Sequence, residues 1–219
     1  EHATMWRICD DLWDNWADVE ANFARFARWA PFASPAGWPD GDMLPLGNIG
    51  LRAERGEPRD SLLSQDERIT LMTLWIIARS PLMIGGDLPS STPETIALFT
   101  NADVLAALDS AGSREVFREG NLVLWTADGA RDELGTGVEY VAAFNLGAEP
   151  LRVSLDAQNV GLPAALQGEI RELWSGASVP TVEVTHQSDE ARGVAPGSTA
   201  IPIEIPPHGA QLLRYLPKG

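Results

Sequence analysis

Arg7 and Asp11 stand four residues apart in the stretch Trp6-Arg7-Ile8-Cys9-Asp10-Asp11-Leu12-Trp13-Asp14. The planar guanidinium of Arg7 can hold a polar substrate or a second carboxylate through its fork of donors. Asp11, close to aromatic bulk, is a candidate proton donor whose pKa desolvation would raise. A plainer role is also open: Asp10, Asp11 and Asp14 are all of a type that caps a following helix well. A second group is Gly37-Trp38-Pro39-Asp40-Gly41-Asp42-Met43. Two carboxylates one residue apart beside Trp38 suit a sugar, whose ring stacks on the aromatic face while its hydroxyls bond to carboxylate. The same residues also read as a turn held by Asp side chains. The calcium-loop pattern is incomplete there.

The elements around these residues alternate. Met5, Trp6 and Ile8 make a short apolar strand that ends in charge, followed at once by a helix. That is how a (β/α) barrel delivers active-site groups at the C-terminal ends of its strands. Leu12, Trp16, Val19, Phe23, Phe26 and Ala30 mark the buried stripe of a helix over about 14–29, with Asp14 as N-cap and Pro31 as its stop. A weak strand is expected over 32–34, inside a Pro- and Gly-rich loop running to about residue 61; loops of that length are usually functional. Ser64-Gln65-Asp66-Glu67 is a capping box, and the helix it starts is apolar nearly all round to about Arg79. Leu82-Met83-Ile84 reads as a short buried strand that again ends in a carboxylate, Asp87. Thr92-Pro93 opens further helix that continues in pieces to about Leu108. Alternation at this spacing predicts parallel strands with crossover helices.

After Gly112 the period changes to two. Glu119-Gly120-Asn121 is a hairpin turn between Val116-Phe117 and 122–126. Short alternating runs follow at 140–144, 151–155, 170–174, 182–185, 200–205 and 210–215, with 128–137 and 186–198 expected as exposed loops. This predicts an antiparallel sandwich. The expected division is residues 1–111 as a partial barrel and 112–219 as the sandwich, the latter structural by default.

Bulk properties narrow the function. A net charge of −15 over 219 residues disfavours nucleic acid and anionic membrane surfaces as partners. One cysteine allows neither an internal disulfide nor a cysteine-cluster metal site, and leaves the compartment open. The three histidines lack metal-ligand spacing, so neither metal nor cofactor is expected. No apolar run reaches transmembrane length. The chain enters on Glu1 directly ahead of a strand, which reads as a piece of a longer protein.

Taken together the motifs resemble the C-terminal half of a glycoside hydrolase family 27 α-galactosidase. The resemblance lies in Trp6-Arg7 with Asp11, in Gly37-Trp38-x-Asp40-x-Asp42-Met43-Leu44, in Leu74-Trp75-x-Ile77-x-x-x-Pro81-Leu82 running to Asp87-Leu88, and in Asp103-Val104-Leu105-Ala106. It implies the last strands, about six to eight, of a (β/α)₈ barrel and then a β-sandwich. It also implies retaining hydrolysis of terminal α-linked galactose, with a small carbohydrate as partner. By this resemblance Asp11 is the general acid/base and Arg7 contacts a substrate hydroxyl. Asp42 and Met43 form the pocket wall, Trp38 is a further pocket candidate, and Asp87 is structural. Two departures stand out. The family's nucleophile stretch, resembling Lys-Tyr-Asp, is absent along with the earlier barrel strands, and Leu108-Asp109 replaces the usual Asn-Gln. A non-catalytic carbohydrate-binding or structural module is therefore an alternative. α-N-acetylgalactosaminide and β-L-arabinopyranoside are alternative substrates.

Overall fold

The strand that begins at Met5 is three residues long, β1 (Met5–Arg7), and it lies parallel to β2 (Trp38–Asp40), with Arg7 in register with Asp40. Trp38 donates its N–H to the Thr4 carbonyl at 2.9 Å, and Ile8 donates to Asp40 at 3.0 Å. The ladder draws on residues 38 and 40, so Pro39, which lacks an N–H, sits in β2 without breaking it. These contacts come from a computed structural model, which describes residues 3–34, 36–51, 56–129, 138–185 and 194–218. The chain divides into two units, Glu1–Leu108 and Asp109–Gly219.

In the first unit, α1 (Trp16–Trp29) buries Val19, Phe23 and Phe26, the expected stripe. Its N-cap is Asn15 rather than Asp14: the Asn15 Oδ1 accepts from the Asp18 N–H at 3.0 Å, which leaves the Asp14 carboxylate free to reach elsewhere. The strand expected over 32–34 is absent. Pro31 instead fixes a 3₁₀ turn over Ala30–Phe32, and Ser34 makes only an isolated bridge to Gly37. The long loop after β2 is not structureless either: β3 (Asn48–Ile49) and β4 (Arg59–Asp60) pair antiparallel as a small hairpin.

The capping box forms as expected. Ser64 Oγ accepts from Glu67 N–H and the Glu67 carboxylate accepts from Ser64 N–H at 2.8 Å. The helix it starts, α2 (Gln65–Ile77), has Leu71 through Ile77 fully buried. It ends two residues early because Arg79 turns into the left-handed region at φ 58°. Residues 82–84 do not form the buried strand expected of them. Ile84 makes one parallel bridge to Leu44, and both Met83 and Ile84 are 37% exposed. Among the described residues no strand flanks Ile84 on its other side, so its apolar side chain is only partly covered. Helices α3 (Pro93–Thr100) and α4 (Ala102–Leu105) complete this part of the barrel, capped by Thr92 and Asn101.

The second unit is an antiparallel β-sandwich. One sheet has the order β10 (Ser178–Val179), β9 (Gly168–Glu172), β13 (Ala210–Pro217), β7 (Val138–Asn145), β6 (Leu122–Asp128), β5 (Ala111–Glu119). The other has β11 (Val182–Glu183), β12 (Thr199–Ile205), β8 (Leu151–Asp156). Alternate residues of both sheets, among them Leu124, Val141, Leu155, Ile201 and Leu213, form one core. The two-residue β10 carries too little pattern to be read from sequence. Of the loop expected to be exposed over 186–198, Val194 and Ser198 are buried. Ser198 and the Ala195 N–H bond to Asp156, at 2.5 and 3.0 Å, and so tie this segment to β8. The rest of that loop, 186–193, and most of the other, 130–137, lie outside the described residues.

The sandwich has its own core, whereas β1 and the Ile84 segment each have one unpaired side among the described residues and leave Met5 and Met83 part exposed. Limited proteolysis is expected to cut before Asp109 and leave a resistant product spanning β5 to β13. Uniform resistance across the chain would show that the barrel segment is stable by itself.

Candidate functional site

A cavity of about 700 Å³ opens where β1, β2 and the Leu44–Ile84 bridge end, within the first unit. Arg7, Asp11, Asp42, Met43, Gly85 and Gly86 line its inner part. The β1–β2 register explains the placement: Arg7 ends one strand, Asp40 ends its neighbour, and Asp42 follows two residues on.

Asp42 is the fixed point. It is buried, and its backbone stands at φ 83°, a left-handed conformation that Asp tolerates better than most residues. Three bonds hold it. Its N–H donates to Asp40 Oδ1 at 2.9 Å, its carbonyl accepts from Trp75 Nε1 at 3.0 Å, and its Oδ2 accepts from the Leu12 N–H at 2.8 Å. The same Oδ2 lies 2.7 Å from Arg7 Nη2. Gly41 must be glycine for the turn to sit so close to α2: a Cβ there would lie 2.7 Å from the Trp75 ring.

Arg7 then carries the rest. Nη2 also donates to the Asp10 carbonyl at 3.0 Å and lies 3.4 Å from Asp11 Oδ1. Burial works against the Arg7 charge, but the Cys9 side chain and Asp42 outweigh it and hold the guanidinium above its ordinary pKa. Burial pushes the Cys9 thiol up, although Arg7 beside it pulls the other way.

Asp11 and Asp42 thus share one guanidinium nitrogen but differ in kind. The Asp42 carboxylate is spent on Arg7 and on backbone. The Asp11 side chain is 72% exposed, presents its carboxyl to the cavity, and lacks the aromatic cover expected from its neighbours. Trp6 does not cover it, because its ring packs toward Trp29 at 6.3 Å. The Asp11 carboxyl is therefore open to a polar ligand in the cavity, whereas that of Asp42 is not.

Met43 lines the cavity with half its surface open. Trp38 does not, because it opens β2 and so sits at the end of the strand away from the cavity. Asp87 borders the cavity, yet its Oδ2 caps a 3₁₀ turn by accepting from Ser90 N–H at 3.0 Å and Ser90 Oγ at 2.5 Å. Asp40, which sequence paired with Asp42 as a sugar or calcium ligand, is buried and bonded to the Asp42 N–H. Among the described residues no group of three or more His, Cys, Asp or Glu is placed to hold a metal ion.

Sequence reasoning missed the outer wall, formed by Trp13 and the β3–β4 hairpin. The link is Asp14, whose Oδ1 accepts from Arg59 Nη2 at 2.9 Å while its Oδ2 takes Arg59 Nη1 and the Leu62 N–H, the latter at 2.7 Å. A pairing across 45 residues leaves no local signal. Arg68 adds a bond from Nη2 to Asp60 Oδ2 at 2.7 Å. Every ion pair named here uses arginine; Lys218 is the chain's only lysine.

Burial pushes the Asp14 carboxyl up, but the bonds from Arg59 and Leu62 outweigh it and hold it below its ordinary value of 3.8. A depressed carboxylate stabilises the fold above its unfolded pKa and loses that contribution as pH falls through the folded value. Asp14→Asn is therefore expected to cost about 1 to 3 kcal/mol at pH 7. The gap to the unmodified chain should narrow below about pH 4, as read by urea unfolding at several pH values.

Comparison with known proteins identifies the family. Residues 1–109 match the family model described as alpha galactosidase A, and residues 119–215 match that of the alpha galactosidase C-terminal beta sandwich domain. An α-galactosidase of Oryza sativa subsp. japonica is 28% identical over 80% of this chain and 39% of its own length. The solved β-L-arabinopyranosidase of glycoside hydrolase family 27 from Geobacillus stearothermophilus is 34% identical, with a TM-score of 0.83 over 99% of this chain and 46% of its own. A putative α-N-acetylgalactosaminidase from Bacillus halodurans is 31% identical, with a TM-score of 0.78 over 96% of this chain and 45% of its own. The chain therefore spans less than half the length of each of these three relatives. It belongs to glycoside hydrolase family 27, the α-galactosidase type, and holds of that family part of the (β/α)₈ barrel together with the C-terminal β-sandwich.

Proposed function

We propose that this chain is the acid/base-bearing part of a retaining exo-glycosidase that cleaves terminal α-linked galactose. The observation that supports this reading best is the exposed Asp11 carboxyl on the same Arg7 nitrogen as the buried Asp42, at the C-terminal ends of parallel strands. Asp11 acts as general acid toward the glycosidic oxygen and then as base toward water. Arg7 bonds a sugar hydroxyl, and Asp42 keeps the guanidinium oriented. Met43 gives the ring an apolar contact. Asp42 does not serve as nucleophile, because its carboxylate is committed to Arg7 and Leu12. The nucleophile comes from barrel strands that this chain does not contain.

A second substrate reading rests on the β-L-arabinopyranosidase, which is 34% identical where the α-galactosidase of Oryza sativa is 28%. β-L-Arabinopyranose has the ring stereochemistry of α-D-galactopyranose without the hydroxymethyl group, so one inner wall can serve both sugars.

The chain alone is expected to give no turnover of an aryl α-galactoside or aryl β-L-arabinopyranoside above a buffer blank. Turnover that Asp11→Ala abolishes would show that the chain has a complete catalytic pair. Joined to nucleophile-bearing barrel strands, Asp11→Ala is expected to cut kcat/KM on a disaccharide α-galactoside by about 10²- to 10⁴-fold. It should cut much less on an aryl substrate, whose leaving group needs little protonation. Equal losses would remove Asp11 from the role of acid.

A further inference from the structure

Two side chains from one helix end hold the backbone of the turn that carries Asp42. The Gly41 N–H donates to Ser80 Oγ at 3.0 Å, and the Asp42 carbonyl accepts from Trp75 Nε1 at 3.0 Å. The Asp42 N–H stays within the turn, on Asp40 Oδ1. A buried backbone group left unpaired is costly, so these partners decide which way the turn faces. Such a bond is not automatic for an indole. Among the described residues, the buried Nε1 atoms of Trp6 and Trp125 have no hydrogen-bond partner.

Trp75 and Ser80 are themselves tied together. The Arg79 N–H donates to the Ile76 carbonyl at 3.0 Å, and the Ser80 N–H donates to the Trp75 carbonyl at 2.8 Å. With Arg79 in the left-handed region at φ 58°, these bonds make a Schellman ending for α2. Glycine is the usual residue at that point. Arg79 instead sends its Nε to the Leu108 carbonyl at 3.2 Å, which ties its side chain down. Trp75 opens this ending and Ser80 closes it, so the motif sets both side chains against residues 41 and 42 as one unit.

We propose that the C-terminal ending of α2 orients the Arg7 guanidinium, with Trp75 and Ser80 as positioning residues that act through Asp42. The backbone angles that aim the Asp42 carbonyl at Trp75 are the same ones that aim its side chain at Arg7. Without the Trp75 donor, nothing from α2 favours the left-handed conformation, and Asp42 is free to return to the ordinary backbone regions. Its carboxylate then leaves the Arg7 Nη2, 2.7 Å away, and the Leu12 N–H, 2.8 Å away. Arg7 loses its shortest ionic contact and with it a single orientation toward the cavity. The bearing of this on function rests on the proposed role of Arg7 as a sugar contact.

The test follows the Arg7 side chain by NMR in the isotope-labelled 219-residue chain, with its signals assigned from Arg7→Lys. A guanidinium held by a carboxylate rotates slowly about its Cζ–Nη bonds and shows separate Nη–H signals. Arg7 is expected to show them in the unmodified chain. Trp75→Phe keeps a packing ring and removes the donor, while Ser80→Ala removes the acceptor at the other end of the motif. Each is expected to merge the Arg7 signals into an average. Ile76→Val thins the same buried helix without touching either bond, so it should lower stability to urea and leave the Arg7 signals separate. Averaged signals in the unmodified chain, separate signals in a folded Trp75→Phe or Ser80→Ala chain, or averaging in Ile76→Val as well would overturn the inference. If Trp75→Phe does not fold, Ser80→Ala decides alone. Methyl α-galactoside separates this result from the proposed function. If adding it leaves every Arg7 signal in place, the role of Arg7 as a sugar contact fails, whereas the dependence of the Arg7 signals on Trp75 and Ser80 still reads the positioning.

Discussion

The site depends on one residue being held in a conformation it does not prefer. A left-handed Asp costs about 1 to 3 kcal/mol and persists only where its surroundings over-determine it. Asp42 has that support from Asp40, Trp75, Leu12 and Arg7, one bond to each. In return its carboxylate fixes both the Arg7 guanidinium and the backbone just beyond Asp11. Removing it would leave Arg7 half-buried with its shortest ionic contact gone, the situation in which a broken pair is most costly. Position 42 is therefore doubly constrained: Asn or Gly would keep the turn without the charge, and Glu the charge without the turn.

What braces Asp42 is the apolar helix α2. Trp75 is fully buried, packs edge-on to Phe26 of α1 at 4.9 Å, and still delivers its one donor to the Asp42 carbonyl. Gly41 lets the turn approach that ring, and Ser80 Oγ takes the Gly41 N–H at 3.0 Å. The residues that looked least functional in the sequence, an unbroken apolar helix behind a capping box, thus set the position of the most functional ones.

How far the sequence could be read follows from the range of the interactions. The α1 stripe, the capping box, the α3 cap and the sandwich strands rest on local periodicity and were legible. Arg7 and Asp11 were legible as groups at the end of an apolar strand, whereas Asp42 and Met43 were offered as pocket-wall residues only through the family resemblance. Trp38–Asp40 was hidden by a proline inside a three-residue strand. The N-cap was misplaced by one residue because Asp14 and Asn15 are both good caps, and only the distant Arg59 decides between them. Met83 and Ile84 looked like core because they are apolar; whether they are covered depends on a neighbouring strand. Trp13 and the hairpin went unread as a wall for the same reason: contacts across tens of residues carry no period.

The near absence of lysine has a consequence for handling the molecule. Because Arg7, Arg59 and Arg68 carry the ion pairs, amine-reactive chemistry cannot reach them. Lys218 offers the single side-chain amine, one residue past β13 and at the end of the sandwich unit. The side-chain amines open to a label, resin or crosslinker are therefore confined to one residue, and every guanidinium–carboxylate contact of the cavity is left chemically untouched.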